Sequence, residues 1–431
     1  MLFSRLGLRG FVLLAASLLL IPFAVPAADT PTITVNGFTS AAVQAAINRA
    51  PASGARIVFP AGRYVFSNTC TLANKRNLIL SGAGKAEFYV PAGKAICHML
   101  NAVGPVSRIH LTGILFTNLS SAKGQGMIFS NEHAPVDRYE IDHCTFTAPR
   151  LNGNAIKLNA QSYGTGKNVS VPIKNVFIHH NTFKSLGRMG IEIQNHGWER
   201  SEAVTWQIDG VRIEDNAFSD LGRIDKKNGM AISISGPNQA IVIRRNRVTD
   251  ATYAAYELVG SQNAEVSDNV AKAVKNTFSG ISVSDNGHKI TTLLRFTRNK
   301  ITVKGSPFQL YAGNGGTITN WVATNNTFVS STPSSADDGT IRVQGASGGR
   351  FADNVVRTGA YNALLFDNAF HNLVTKNQLS NAGNPKNYEV VSFQNGNTYG
   401  NVLQANVYQK ASGLVSSDYA KQHNGAHDNR F

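Results

Sequence analysis

The chain has little cysteine and, beyond its first 27 residues, no long apolar run. Three cysteines among 431 residues are too few to hold together a small disulfide-rich fold. The one long apolar run, FVLLAASLLLIPFAV, lies near the N-terminus, and no later run approaches the roughly 18 residues needed to cross a bilayer. The sequence therefore predicts no membrane span after this run.

The N-terminal run has the layout of a secretory signal. Arg5 and Arg9 precede it, and Val25-Pro26-Ala27 ends it with the small residue that signal cleavage requires. We expect residues 1–27 to be a signal peptide and the rest of the chain to be secreted or periplasmic.

Acidic residues are also scarce. The chain has 26 Asp and Glu against 41 Lys and Arg, a formal net charge of +15. Arg5 and Arg9 belong to the signal, so 15 − 2 leaves +13 on the mature chain. Such an excess favours a polyanionic partner, although it also promotes solubility. Because an exported protein seldom meets nucleic acid, we expect an acidic polysaccharide and no nucleic acid.

A short phrase recurs from residue 141 onward: an apolar residue, two polar ones, Asn, any residue and an apolar one. If Cys144 is counted as the first member, the spacings run from 23 to 37, too irregular for helical repeats. Asn suits a turn because it tolerates left-handed backbone and because its amide can bond to the Asn of the next coil. The Asn positions are 181, 216, 246, 269, 299, 326, 354, 377 and 406.

After each phrase comes a second, alternating strand, such as AIKL, GIEI, AISI or AYEL. Short strands in units of about 28 residues, with scarcely any helical pattern, are typical of stacked coils. The sequence predicts an all-β, right-handed parallel β-helix of about 10–12 coils, the right hand following from the general preference of parallel crossovers.

The two ends of such a solenoid need caps. The segment TSAAVQAAINRA has Thr39 or Ser40 as N-cap and apolar residues at helical spacing, which predicts a capping helix over 39–50. We therefore expect an N-terminal cap over 28–60, the β-helix over 61–410 and a C-terminal tail or cap over 411–431.

Several N-terminal motifs resemble those of a known superfamily. After the helix come ARIVFPAGRYVF and then NLILSGAG, and this order resembles the start of secreted pectate-lyase-like proteins. That resemblance implies a right-handed β-helix and a lyase, hydrolase or epimerase acting on polysaccharide. The signatures GHG, RIK and DPHD of well-known members are absent, and IDHC at 141–144 matches only part of the WIDH of pectate lyases.

Stacking the second strands in register predicts two outward columns of side chains. The first column is Ile128, Lys157, Glu192, Ser233, Glu257, Ser282, Gln309, Arg342, Leu365 and Ser392. The second is Ser130, Asn159, Gln194, Ser235, Val259, Ser284, Tyr311, Gln344, Asp367 and Gln394.

The first column holds two carboxylates at a useful separation. Glu192 and Glu257 are two coils apart, which places their backbones about 9.6 Å apart. Their carboxyl groups can then reach the roughly 6.5–9.5 Å that inverting glycosidases use, one as acid and one as base. Ser233 between them leaves room for water or sugar. We expect Glu192 to be exposed, and the alternative is that Glu192 only pairs with Lys157 and Arg188.

Cations, amides and aromatic rings around this pair could hold a sugar chain. His196 is a further catalytic candidate, as a base or a hydrogen-bond partner of substrate. The candidate substrate-binding residues are Lys157, Arg188, Gln194, Trp198, Lys226, Lys227, Ser233, Tyr253, Tyr311 and Arg342.

Three functions fit a groove along these two outward columns. Paired-carboxylate hydrolysis of an acidic polysaccharide comes first, and a lyase or C5-epimerase of a uronate polymer is the closest rival, because cations and a base near the C5 proton are also present. The third is an exopolysaccharide-binding protein without turnover. The chain is expected to be a monomer or a homotrimer.

No cofactor is expected, and a divalent cation is the alternative. On the strand before the Asn turn, His143, His180 and Asp215 form one column, and Asp142, His179 and Glu214 form the next. Imidazole and carboxylate suit zinc or similar ions, whereas alternating charge along the columns explains the pattern without metal.

Cys70 and Cys97 are predicted to lie on stacked coils about 4.8 Å apart, where they could be bridged. Two buried thiols are the alternative.

Overall fold

The computed structural model describes the following residues of the chain: 30–161, 170–196, 206–276, 278–285, 291–313, 316–330, 340–359, 362–381, 389–395, 398–409 and 424–427. The predicted signal peptide and Trp198 lie outside these residues, as does the predicted tail over 411–431 except for 424–427.

The described chain winds into a right-handed parallel β-helix, as the sequence predicts. Each coil contributes strands to two sheets, which we call the A sheet, of 27 strands, and the B sheet, of 12 strands. The B sheet consists of the alternating second strands. The A sheet consists of the strands on either side of the Asn turn. All the pairings between named strands are parallel, so residues a full coil apart lie side by side.

The strand bounds fall into four sets. The B sheet comprises β4 (Cys70–Leu72), β6 (Leu100–Ala102), β8 (Lys123–Ser130), β11 (Asn152–Gln161), β14 (Ile191–His196), β17 (Met230–Ser235), β20 (Ala254–Val259), β23 (Ser279–Ser284), β26 (Phe308–Tyr311), β29 (Ile341–Gln344), β33 (Leu364–Asp367) and β36 (Val391–Gln394). The A-sheet strands before the turn are β1 (Thr32–Thr34), β2 (Ala55–Val58), β9 (Val136–Asp142), β12 (Ile173–His179), β15 (Ile208–Glu214), β18 (Asn238–Arg244), β21 (Ser261–Ser267), β24 (Thr291–Thr297), β27 (Ile318–Thr324), β30 (Ala346–Ser347), β31 (Arg350–Ala352), β34 (Leu373–Thr375), β37 (Val402–Gln404) and β39 (Gly425–His427). The A-sheet strands after the turn are β3 (Gly62–Val65), β10 (Thr145–Ala148), β13 (Thr182–Leu186), β16 (Ala217–Leu221), β19 (Arg247–Thr249), β22 (Val270–Lys272), β25 (Lys300–Val303), β28 (Thr327–Ser330), β32 (Val355–Thr358), β35 (Gln378–Ser380) and β38 (Val407–Gln409). Two long strands, β5 (Lys75–Val90) and β7 (Val106–Asn118), run through both parts of the A sheet.

One α-helix, α1 (Ser40–Arg49), covers the first coil of the described chain. The Thr39 hydroxyl accepts a hydrogen bond from the Ala42 N–H at 3.2 Å, so Thr39 is the N-cap. Val43 and Ile47 are buried against the coil. The Gln44 amide binds both backbone groups of Thr71, the N–H at 2.6 Å and the C=O at 3.2 Å. The helix therefore satisfies polar groups of an end strand that no further B-sheet strand would pair.

A ladder of buried asparagines runs along the turn between the two parts of the A sheet. Each side-chain carbonyl accepts two hydrogen bonds from the preceding asparagine, one from its backbone N–H and one from its side-chain amide. The amide-to-carbonyl distances are 2.9–3.1 Å from Asn181 to Asn406. Cys144 begins the series, since its backbone N–H donates to Asn181 at 2.9 Å.

The structure corrects one reason for asparagine at this turn. The ladder asparagines do not themselves adopt left-handed backbone; the residue before each one does, with φ near +50° to +57°, as at His180, Asp215 and Asp268. The predicted bonding from coil to coil is confirmed. Asparagine is thus required for its side-chain amide, whereas the residue before it adopts the unfavourable left-handed backbone.

Phenylalanine side chains stack inside the coil next to the ladder. Phe116, Phe146, Phe183 and Phe218 lie in one column, with ring centroids 4.6–4.9 Å apart and planes within 7° of parallel. This spacing matches the distance between neighbouring strands, so in-register pairing places the rings over one another.

The predicted bridge between Cys70 and Cys97 is wrong, and the buried-thiol alternative is confirmed, because all three cysteines are free and buried. Cys70 pairs in register with Leu100, three residues beyond Cys97. The Cys70 thiol points to the Ser40 carbonyl at 3.2 Å, whereas Cys97 packs on Gly124. Burial raises the pKa of each thiol to about 12.

We predict that the three thiols react with a thiol reagent only when the protein unfolds. A raised pKa leaves almost no thiolate at neutral pH, and burial blocks access. Titration with a chromogenic disulfide reagent should give fewer than one thiol rapidly in the native protein and three in denaturant. Fewer than three thiols in denaturant without reductant would contradict the free-cysteine arrangement.

We also predict that Asn299→Ala destabilises the protein by about 3 kcal/mol. The substitution leaves the buried Asn269 N–H and amide without their acceptor and removes the bonds to Val266 and Asn326. Denaturant unfolding followed by circular dichroism measures the loss. Asn48→Ala, on the exposed face of α1, is the control and should change the free energy of unfolding by less than about 0.5 kcal/mol.

Candidate functional site on the B sheet

The B-sheet register brings the central residues of the first column together as predicted. Lys157 pairs with Glu192, Glu192 with Ser233, and Ser233 with Glu257, on the adjacent strands β11, β14, β17 and β20. Glu192 and Glu257 therefore share one flank of the coil. Two strand spacings separate their backbones by about 9.6 Å.

Glu192 is held by three donors at one carboxylate oxygen. Its Oε2 accepts a hydrogen bond from Asn154 Nδ2 at 2.6 Å and lies 3.0 Å from Lys157 Nζ and 3.4 Å from an Arg188 guanidinium nitrogen. Among the described residues no hydrogen-bond donor reaches Oε1. Oε2 is thus fully engaged, and Oε1 remains for a water or a substrate group.

The expectation that Glu192 is exposed is wrong. Its relative exposure is 6 %, and that of Lys157 is 4 %, because each covers the other in the column. A buried ion pair of this kind makes Glu192→Gln destabilising, since Lys157 would lose its counter-charge. The ion pair considered from sequence is present, and it is buried.

Glu257 has a different environment. Its Oε2 accepts a hydrogen bond from the Ser233 hydroxyl at 2.6 Å. Burial raises the pKa of Glu257 above its usual value, the Ser233 hydrogen bond opposes that rise, and the negative charge of Glu192 adds to it. Burial and the nearby carboxylate thus favour the protonated acid at Glu257, whereas Glu192 is paired with two cations.

Arg188 links this pair to a neighbouring loop. Besides Glu192, its guanidinium contacts the Asp225 carboxylate at 3.5 Å. A 3₁₀ turn, Lys226–Asn228, follows directly and exposes both Lys226 and Lys227. The Lys226 carbonyl accepts a hydrogen bond from the Thr252 hydroxyl at 2.8 Å, which places this turn against the segment that carries the exposed Tyr253.

The remaining candidates are spread along the B sheet. Gln194 accepts a hydrogen bond from Lys157 at 3.0 Å, and His196 bonds to Asn159 at 3.0 Å at the end of the same strand. Tyr311 is exposed, two strands beyond Glu257 and one column over. Arg342 is three strands beyond Glu257 and contacts Asp367 at 3.5 Å.

Two contributors were not anticipated from sequence. Asn154 makes the shortest contact to Glu192, and Asp225 ties Arg188 to the loop. Asn154 lies where the pairing of β11 with β8 shifts register between Asn152 and Asn154, so alternation does not reveal where it points.

The same irregularity corrects the start of the predicted columns. Lys157 pairs with Phe129, and Ile128 pairs with the inward Ile156. Ile128 is 1 % exposed, and Ser130 is opposite Leu158, facing inward, where its hydroxyl accepts a bond from the Asn159 N–H. From Lys157 onward, the predicted first column is confirmed through Ser392.

The predicted His143, His180 and Asp215 column is formed, with the two imidazole rings stacked at 5.3 Å. Arg245 binds both carboxylate oxygens of Asp215 at 2.8 Å, which satisfies that carboxylate without an ion. In the neighbouring column Glu214 contacts Arg212, Arg244 and Arg245 at 2.8–3.0 Å.

Within the part of the chain that is described, no helix is both long and apolar enough to cross a membrane.

Comparison with solved structures finds this fold in carbohydrate-active proteins. The A-module of the mannuronan C-5 epimerase AlgE6 from Azotobacter vinelandii superimposes with a TM-score of 0.52 at 15 % identity, covering 91 % of this chain and 94 % of that one. The catalytic unit of a GH87 α-1,3-glucanase from Streptomyces thermodiastaticus gives 0.51 at 14 % identity, covering 95 % and 70 %. The resemblance to pectate-lyase-like proteins is thus confirmed for the fold. No family model and no curated protein matches the sequence.

We predict that Glu257→Gln gains stability relative to the natural chain as the pH rises. Because the folded-state pKa of Glu257 is raised above 4.5, the contribution of this group to stability is present below that value and is lost as the pH rises through the folded pKa. The variant lacks this titration. In thermal melts of both proteins, the Tm of the variant minus the Tm of the natural chain should increase from pH 4 to pH 8.

The matched control is Glu265→Gln on the A sheet, where Ser267 also donates to the carboxylate at 2.6 Å. A shift of equal size in both variants would mean that the effect does not arise from the buried position beside Glu192.

Proposed function

We propose that this protein is an exported enzyme that hydrolyses glycosidic bonds of an acidic polysaccharide on the outer face of the B sheet around Glu192, Ser233 and Glu257, a surface that we call the B-sheet groove. Glu257 acts as the general acid and Glu192 as the general base. The proposal depends on one observation: two carboxyl groups share a column two strands apart, one with a pKa raised by burial and the other in contact with Lys157 and Arg188.

The geometry supports an inverting reaction. Because the two backbones are about 9.6 Å apart, the side chains can lean to the roughly 6.5–9.5 Å that separates the carboxyl groups of inverting enzymes, in which water fits between base and sugar. Ser233 is the only residue between the two in the column, and its hydroxyl already donates to Glu257, so a small side chain leaves that space open. Glu257 would protonate the leaving oxygen while Glu192 removes a proton from water.

Charge and exposed side chains support an anionic chain as substrate. The predicted mature chain carries +13, and Lys226, Lys227 and Tyr253 are exposed beside the acid pair. Cations can bind uronate carboxylates, and an exposed ring can stack on a sugar face. His196 would extend this surface, with Tyr311 and Arg342 farther along it. The fold also serves a mannuronan epimerase and a glucanase, which agrees with a polysaccharide substrate.

A uronate lyase or C5-epimerase is the second candidate, because Lys157 and Arg188 place two cations at the centre of the groove. Such an enzyme uses cations to neutralise the substrate carboxylate and a base to remove the C5 proton. Here both cations already neutralise Glu192, which favours hydrolysis.

The chain from residue 28 onward should be tested on alginate, polygalacturonate, hyaluronan and a neutral glucan. Hydrolysis yields new reducing ends without the ultraviolet absorbance of an unsaturated uronate, and early NMR spectra should show inversion at the anomeric carbon. Glu257→Gln should lower kcat by about 100-fold or more, since general acid catalysis is worth that much. Glu192→Asp keeps the charge beside Lys157 but withdraws the carboxylate, and it should lower kcat similarly.

Glu265→Gln is the control for both variants and should retain full activity. Unsaturated product would show that the reaction is an elimination and not a hydrolysis. A changed mannuronate-to-guluronate ratio would indicate epimerisation. Binding without any product would identify a carrier. Hydrolysis that survives both Glu257→Gln and Glu192→Asp would overturn the paired-acid mechanism.

A further inference from the structure

A second cluster of ionisable side chains lies on the outer face of the A sheet. Three consecutive strands contribute it: His110 from β7, Glu140 and Asp142 from β9, and His179 from β12. In the register, His110 is opposite Glu140, and Asp142 is opposite His179. The parallel stacking therefore gathers two imidazoles and two carboxylates that are up to 69 positions apart in the chain.

The ligand-type atoms of this cluster converge on a small volume. One nitrogen of His110 and one oxygen each of Glu140 and Asp142 lie within 4.8 Å of one another. His110 Nε2 is 3.1 Å from Asp142 Oδ2, and His179 Nε2 is 2.9 Å from Glu140 Oε1 and 3.8 Å from Asp142 Oδ2. Both imidazoles thus present the same nitrogen, Nε2, to the same pair of carboxylates.

Hydrogen bonding and packing hold His179 in this orientation. Its other nitrogen, Nδ1, lies 2.8 Å from His180 Nδ1, and its ring stacks on Phe177 at 3.8 Å. A metal-bound imidazole usually donates its second N–H to an acceptor in this way, which fixes both tautomer and ring direction. His180, the left-handed residue of the turn, is in position to accept that bond.

The carboxylates have coordinating capacity that the protein does not use. Asp142 is 7 % exposed, and its Oδ1 is buried without a well-formed hydrogen bond from the described residues. Thr112 and His143, whose Nδ1 lies 3.4 Å away, are near enough to lower the pKa of this carboxyl. A buried carboxylate oxygen without a donor is costly. A cation would satisfy it.

The next acidic residue along the column is not available. Glu214, opposite His179, is already neutralised by Arg212, Arg244 and Arg245. The cluster is therefore bounded on that side by Glu214 and its three arginines, and from the other side the charge of Arg56 reaches His110.

We propose that His110, Glu140, Asp142 and His179 bind one divalent transition-metal ion of the zinc type, which clamps three consecutive coils. Two imidazoles favour zinc or a similar ion over calcium or magnesium, which prefer oxygen ligands alone. Ligand atoms around tetrahedral zinc are about 3.3 Å apart, which is close to the observed contacts of 2.9–3.8 Å. His179 lies outside the set of three residues whose ligand atoms are all within 4.8 Å of one another, so its ring has to move toward His110 when the ion binds. The site lies on the A sheet and does not depend on the function proposed for the B-sheet groove.

The cluster also has a metal-free interpretation, a network of protonated imidazoles and carboxylates. Burial alone would lower the pKa of His110, but the Asp142 hydrogen bond and the charge of Glu140 outweigh burial and raise it. Burial would raise the pKa of Asp142, and hydrogen bonding from His110 instead lowers it to about 2. Protons and metal therefore compete for the same atoms, and a binding measurement separates the two interpretations.

The test uses the chain from residue 28 with no histidine tag, stripped of metal with a chelator. Equilibrium dialysis against Zn²⁺ at neutral pH should give one bound ion per chain at micromolar or lower free Zn²⁺, and Zn²⁺ should raise Tm. Co²⁺ should give the visible absorption of a site with imidazole and carboxylate ligands. His110→Ala, His179→Ala and the near-isosteric Glu140→Gln should each weaken Zn²⁺ binding at least tenfold.

His371→Asn is the matched control. It removes an exposed imidazole from another left-handed position, one that asparagine tolerates, and should leave Zn²⁺ binding unchanged. Circular dichroism of each variant confirms that it is folded, and Glu140→Gln keeps the test valid if an alanine variant is not. Failure of the natural chain to bind one equivalent, or unchanged binding by the folded site variants, would overturn the proposal.

Discussion

The structure depends on the hydrogen bonds between stacked asparagines. Each ladder carbonyl accepts both the backbone N–H and the side-chain amide of the asparagine one coil earlier, in a turn where the amide is 0–1 % exposed. An unpaired buried amide is costly, so a slip of one residue would break two bonds per coil. The ladder therefore fixes the register of both parts of the A sheet, and the short connections transmit that register to the B sheet.

Both chemical clusters follow from this fixed register. On the B sheet it aligns Lys157, Glu192, Ser233 and Glu257, and burial then differentiates two carboxyl groups that are identical in covalent structure. On the A sheet it aligns His110 with Glu140 and Asp142 with His179. In neither case are the partners close in sequence, and in both the pairing takes place between parallel strands whose spacing is nearly constant.

Much of this arrangement could be predicted because two signals agreed. The recurring Asn phrase and the alternating second strands each specify which residues of a strand face inward. The fold and the first column from Lys157 onward could therefore be predicted from sequence. The predicted outward orientation of Ile128 was wrong, because the apolar triplet Met127-Ile128-Phe129 does not show which residue points inward. Burial of Glu192 was missed because it depends on the long side chains of Lys157 and Arg188. Strand alternation shows which face of the sheet a side chain is on, but it does not show whether neighbouring side chains cover it. His110 and Glu140 were missed because they precede the Asn phrase and belong to columns that the phrase does not mark.

The loops between coils contribute little to the ladder. The stability of the fold and the binding specificity of its surface therefore depend on different residues. A loop such as the one carrying Lys226 and Lys227 joins β16 to β17, whereas Asn216 and Asn246 bond directly to each other across the same coil. Insertions and substitutions in such loops can reshape what the surface recognises while the supporting lattice of amides stays intact. The architecture is thus suited to evolving new specificities rapidly on an old frame.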